Sequence, residues 1–171
     1  MSQETLRMNQ SILLGTRFFT EGEFPPRVLE FLEPKLLSTL INLRDVFGLP
    51  IYPSPLRGAW VREGGSPTSR HFIGNKRLSD AGDFFVGSNY HKAWLDAQAI
   101  EDITGIGVYP YTKYSRLNGQ NYCPALHIDI RPRSNGSRLF WMRLKDGTYI
   151  NPMENNAERK RFFEELSKID W

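Results

Sequence analysis

Three histidines, His71, His91 and His127, stand among 171 residues. Imidazole titrates near neutrality and is the commonest protein ligand for a metal, so the context of each is informative. His127 lies in PALHIDIRP, residues 124–132. Read as a strand, this segment sends Leu126, Ile128 and Ile130 to one side and Cys123, Ala125, His127, Asp129 and Arg131 to the other. Aliphatics behind and His-x-Asp-x-Arg in front present polar groups on a rigid support. A surface strand whose polar face merely meets water carries the same pattern.

His71 lies in SRHFIGNKRLSDAGDFFV, residues 69–86. Asp83 precedes the apolar Phe-Phe-Val and is placed to enter a cleft from the start of a strand. His71, Asp83 and His127 together make two imidazoles and one carboxylate, a competent zinc set with a fourth position left for water. Zinc would lower the pKa of that water and polarise a carbonyl. Spacing alone also allows these groups to be loop charges and helix caps.

The other reactive side chains point to blander roles. His91 begins a helix in NYHKAW and reads as an exposed helix histidine. Cys123 shares a strand face with His127, but without a third orienting group it reads as a structural thiol rather than a nucleophile or thiolate ligand. Trp60, Trp94, Trp141 and Trp171 read as packing residues, with Trp60 also placed to line a groove. The basic stretch RGAWVREGGSPTSR lacks any RNP, OB-fold or zinc-finger pattern, so nucleic acid is not the expected partner.

These residues must be positioned by ordinary elements. The first 24 residues read as an irregular lead-in, and residues 25–171 as one domain. Leu36, Leu37, Leu40, Leu43 and Val46 recur at helical spacing, with Pro34 at the start and Gly48 at the stop. A short β-leaning segment, LPIYPSP, follows. Residues 57–82 are rich in Gly, Ser, Arg and Asn and read as a long loop. DFFVG is a strand. The next helix takes Ser88 as its cap, with Trp94, Ala97 and Ile100 on one face. IGVYPY and PALHIDIRP are strands, and RLFWMRLKDGTYIN is a hairpin turned at Asp146-Gly147. The tail is an amphipathic helix with Phe162, Phe163 and Leu166 inward. That order predicts an α+β fold with a small, mostly antiparallel sheet and packed helices.

Composition narrows the function classes. Hydrophobic residues make up 40% and charged residues 24%, a globular balance that excludes wholesale disorder. No apolar run approaches the roughly 20 residues that span a bilayer, so no membrane role is expected. The N-terminal residues lack the basic-then-apolar layout of a secretory signal. A single cysteine excludes an internal disulfide. The net charge of +3 suits an acidic polymer, nucleic acid or bacterial wall, without choosing between them.

Three segments, in order, resemble the zinc peptidases of the hedgehog/D-alanyl-D-alanine peptidase superfamily, in the branch of murein endopeptidases and phage endolysins. They are LLSTLINLRDVFGLPIYPSPLR, SRHFIGN…AGDFF and GIGVYPYTKY…PALHIDIRP…RLFW, which together span roughly residues 30–143. The resemblance implies the superfamily's small α+β fold and a zinc ion held by His71, Asp83 and His127. It also implies an Arg57 that faces the substrate, where a planar guanidinium suits a peptide carbonyl or carboxylate. The substrate implied is the peptide of bacterial peptidoglycan. With no secretion signal, the expected setting is a bacteriophage product, in the virion or in the host cytoplasm before lysis, with other virion proteins as further partners. A second reading keeps the fold as a tail or wall-binding component without turnover.

Two departures from the family pattern bear on the chemistry. His71 and Asp83 are 83 − 71 = 12 positions apart, so KRLSD looks like an insertion and Asp80 is a rival ligand. Many relatives carry a carboxylate three positions before the second zinc histidine, where this chain has Pro124. Asp129 is the substitute: either a catalytic base on the same strand face as His127, or a partner that orients a zinc histidine. Tyr109 and Tyr111 are further candidates to stabilise an oxyanion.

Overall fold

The computed structural model describes residues 2–45, 48, 51–74, 77–87, 89–112, 124–133 and 136–169. Val46, Ser88, Cys123 and Trp171 lie outside the described residues. Six strands form one sheet: β1 (Ile51–Pro53), β2 (Ala81–Val86), β3 (Gly105–Tyr109), β4 (Ala125–Asp129), β5 (Leu139–Arg143) and β6 (Tyr149–Ile150). Their spatial order is β1-β2-β4-β3-β5-β6. Every pairing is antiparallel except that of β3 with β5. Four α-helices accompany the sheet: α1 (Ser2–Leu14), α2 (Pro34–Asp45), α3 (Tyr90–Ala99) and α4 (Asn156–Leu166). The chain is thus α+β, as its order of elements implies. No helix among the described residues is long and apolar enough to cross a membrane.

Strand alternation gives the sheet two unlike faces. Phe84 and Val86 of β2, Ile106 and Val108 of β3, Leu126 and Ile128 of β4, and Met142 of β5 all belong to the main core. Leu36, Leu37, Leu40 and Leu43 of α2, and Trp94 and Ala97 of α3, join the same core. The opposite face carries a row set by register. Asp83 pairs with His127, His127 with Gly107, and Gly107 with Trp141. Four strands therefore bring one residue each to a common level.

The hairpin between β5 and β6 turns at Asp146-Gly147: Gly147 takes φ +90°, and Asp146 accepts from the Thr148 N–H at 2.8 Å. In α4 the Asn155 side chain caps the helix by accepting from the Glu158 N–H at 2.9 Å. Phe162 and Leu166 are buried as expected, but Phe163 is 49% exposed. Successive helical residues point about 100° apart, so only one of two adjacent phenylalanines reaches the core here.

The N-terminal segment differs from its expected irregularity. Residues 2–14 are the helix α1, packed on α2 and on the turn Val28–Glu30. Its buried stripe is Thr5, Asn9 and Leu13. The Asn9 amide donates to the carbonyls of Leu29 and Leu32 at 2.9 and 2.8 Å. Phe19 and Phe24 enter the main core, where Phe24 meets Trp60 edge-on at 5.2 Å. Arg44 of α2 stacks over Phe19 and pairs with Glu23 at 2.8 Å.

Candidate metal centre

His71 is held in the long loop by backbone pairing. The Arg62 N–H donates to the His71 carbonyl at 2.7 Å and the Ile73 N–H to the Arg62 carbonyl at 2.9 Å, a short parallel bridge. Ser79, wholly buried, ties the loop to itself through the carbonyls of Trp60, Arg70 and Ala81. This bracing carries His71 over the polar face of the sheet, where it is 4% exposed. Asp83 and His127 reach the same point from the paired strands β2 and β4.

Three ligand atoms face one another. His71 Nε2 lies 3.2 Å from His127 Nδ1, which lies 2.7 Å from Asp83 Oδ1, and His71 Nε2 lies 3.6 Å from Asp83 Oδ1. Atoms bound about 2.0–2.2 Å from one tetrahedral centre sit about 3.3–3.6 Å apart. The 3.6 Å separation matches that spacing, and the 3.2 and 2.7 Å separations are hydrogen-bond distances shorter than it. These three residues could hold a metal ion, and their nitrogen and oxygen donors suit a divalent transition metal.

The electrostatics follow from burial and neighbours. Burial lowers the pKa of His71 to about 4, against the pull of Asp83. His71 is therefore neutral near pH 7, the state a ligand needs. For His127, burial opposes the charge, but the carboxylates of Asp129 and Asp83 on its two sides outweigh it and raise the pKa to about 9. Burial also works against the Asp83 carboxylate, yet the hydrogen bond from His127 and the His127 charge hold its pKa below the usual range.

Asp129 lies on the side of His127 away from Asp83 and His71. Its carboxylate is wholly buried, with Oδ2 3.7 Å from Nε2 of His127, the nitrogen that does not face Asp83 and His71. Arg131 grips it with Nε and Nη2 at 3.2 and 3.0 Å. Burial alone would raise its pKa, but His127 and Arg131 hold it well below the carboxylate range. A sealed, ion-paired carboxylate on the far side of the imidazole is placed to orient His127, not to take a proton from water at the ligand atoms.

Asp80, the rival ligand, is turned away: it pairs with Arg70, and with Arg77 at 3.2 Å. Arg57 is not among the residues lining the cleft over the three ligands. It follows Leu56 into the turn Arg57–Ala59, which aims its guanidinium at Glu63, 2.8 Å away. His91 is exposed on α3, apart from the ligand group, and Trp60 packs in the core against Gly82. Tyr111 bonds Glu165 at 3.0 Å and lines a different pocket.

The cleft measures about 330 Å³, and several of its walls were not foreseen from the sequence. Trp141, expected to be packing, lies 5.0 Å from the His127 ring and donates to Tyr109 Oη at 3.1 Å. Burial, then the Asp83 charge, raises the Tyr109 pKa, so this phenol keeps its proton. Arg62, Arg70, Arg131 and Arg143 also line the cleft. For Trp141 and Arg143 the signal was present: both alternate on β5 with Phe140, which packs against the core, and Met142, which is in it. What was missing was the pairing that brings β5 beside β3. No protein-family model, curated protein or solved structure matches this chain.

Proposed function

We propose that this cleft is the hydrolytic site of a zinc peptidase that acts on the peptides of bacterial peptidoglycan, on a fold of the hedgehog/D-Ala-D-Ala peptidase type. The observation that carries the reading is the meeting of His71 Nε2, Asp83 Oδ1 and His127 Nδ1, within 3.6 Å of one another, at the floor of an open cleft. Zinc bound there would supply Lewis acidity, lowering the pKa of a water and polarising a peptide carbonyl. The chain's own residues do the rest. Asp129 fixes the His127 ring, Trp141 walls the site, and the protonated Tyr109 can donate a hydrogen bond to an oxyanion.

One observation favours a second reading, a wall-binding or virion component on the same fold. Among the described residues lining the cleft, Asp83 is the only carboxylate, so none is free to act as a separate base. Two measurements decide between the readings: metal content, and muropeptide cleavage by the wild type and by His127→Ala. The peptidase reading expects about one zinc per chain and cleavage that falls by at least ~100-fold in the variant. Zinc at one equivalent with no cleavage by either protein would establish the binding component instead.

A further inference from the structure

Four guanidinium groups line one small cleft, and they are not equivalent. Arg70 is committed to Asp80, and Arg131 to Asp129 through two nitrogens. Arg62 uses its Nε on the Gly58 carbonyl at 2.6 Å and is otherwise exposed. Arg143 is exposed at the end of β5, on the polar face two residues past Trp141, and pairs with no carboxylate among the described residues. The two uncommitted arginines flank the ligand group. Arg62 stands in the loop beside His71, and Arg143 stands on the strand beyond His127 and Trp141.

Formal charge makes the same point. Arg62, Arg70, Arg131 and Arg143 contribute +4, while Asp80, Asp83 and Asp129 contribute −3. Among the residues that line the cleft itself, the four guanidinium groups face a single carboxylate, Asp83, so the lining is net positive before any cation binds. A cleft with low-dielectric walls concentrates such a field on its occupant. A neutral occupant would leave two guanidinium groups hydrated and idle.

We infer that Arg62 and Arg143 are specificity-determining residues that bind an oxyanion on the occupant of the cleft, and that on a peptide this oxyanion is a free carboxylate. The inference rests on the peptidase reading only for the identity of the occupant. Planar guanidinium groups recognise carboxylates through paired N–H donors, and a lysine substitutes poorly at such a site.

The test measures binding calorimetrically to the full-length, metal-free chain, so that neither a cation nor turnover contributes. The probes are N-acetyl-alanyl-alanine, its C-terminal amide and inorganic phosphate. The acid should bind ~100-fold more tightly than the amide. Arg62→Gln and Arg143→Gln should each reduce that preference to ~10-fold, and the double variant should abolish it. Arg→Lys at either position should restore part of it. Both side chains are exposed, and a thermal melt of each variant confirms folding. Equal binding of acid and amide, or a preference unchanged in the double variant, would overturn the inference. Phosphate binding more tightly than the acid would overturn the assignment to a peptide carboxylate. An arginine-dependent acid preference in a chain that cleaves no muropeptide would sink the peptidase reading and leave the anion site standing.

Discussion

The imidazole of His127 has two working edges. Nδ1 meets Asp83 and His71, while Nε2 faces the buried Asp129. A histidine ligand gains basicity and a fixed orientation from a carboxylate on its second nitrogen, and losing such a partner typically costs 10–100-fold in metal affinity. Asp129→Asn should therefore weaken zinc binding by about that factor in a chelator competition, while His91→Ala, on the exposed face of α3, should not. The pH dependence follows from the same ring. Asp129 and Asp83 raise the His127 pKa to about 9, and a metal must displace the proton held there, so affinity should rise about tenfold per pH unit between about 6.5 and 9 and then level off. His71, with its pKa near 4, releases no proton in that window. Stability of the metal-free chain should run the other way. A histidine with its pKa raised above 6.5 contributes stability that is fully present below pH 6.5 and lost as pH climbs through about 9. Denaturant midpoints across that range, with and without zinc, would reveal the opposite slopes. The grouping of His71, Asp83 and His127 was suggested by scarce histidines and by the family resemblance, and the structure brings the three together. The role of Asp129 was not legible in the sequence, because a strand pattern does not say which edge of a neighbouring imidazole a carboxylate meets. The direction of Arg57 was hidden for a similar reason: it depends on a one-turn helix that swings the side chain toward Glu63.

At the scale of elements, β3 gives the site its room. Gly105 and Gly107 lie on the polar face of this strand, opposite Asp129 and His127. A Cβ on Gly105 would come within 2.3 Å of the Asp129 carboxylate, and one on Gly107 within 2.5 Å of the Trp141 indole. Each missing side chain is thus the space that a group beside His127 occupies. Gly105→Ala and Gly107→Ala should each destabilise the fold by about 1–3 kcal/mol through overpacking. Each should also lower metal affinity by moving a neighbour of the ligand ring. Gly64→Ala, which meets nothing within 4 Å, should change neither. Thermal melts and zinc titrations of the three variants separate these cases, and a Gly105→Ala protein as stable and as zinc-avid as the wild type would contradict this account. The strand itself was readable from Ile-Gly-Val-Tyr. The purpose of its glycines was not, since it depends on register with β4 and on the parallel pairing with β5, which no local pattern encodes.

Across the whole molecule, the sheet and α2 were legible because their buried positions are aliphatic and regularly spaced. The helix α1 was not, because two of the three residues on its buried stripe are polar. Thr5 and Asn9 break the apolar period that would have announced it. Asn9 is wholly buried, and its amide ties this helix to the carbonyls of Leu29 and Leu32. Those carbonyls flank the segment that runs into α2, and Leu32 also bridges Ser79, the residue that braces the loop carrying His71. A continuous set of contacts thus links the N-terminal helix to the loop that carries His71. Replacing Asn9 by Ala would leave two buried acceptors without a donor, a loss of about 1–3 kcal/mol for each group stranded away from water. The denaturant midpoint should fall accordingly with the slope unchanged. If α1 and the loop form one cooperative unit, zinc should restore part of the lost stability, because a ligand bound only by the folded state adds to it. An Asn9→Ala chain with wild-type stability would show that α1 is an appendage rather than part of the scaffold that holds His71 over the sheet.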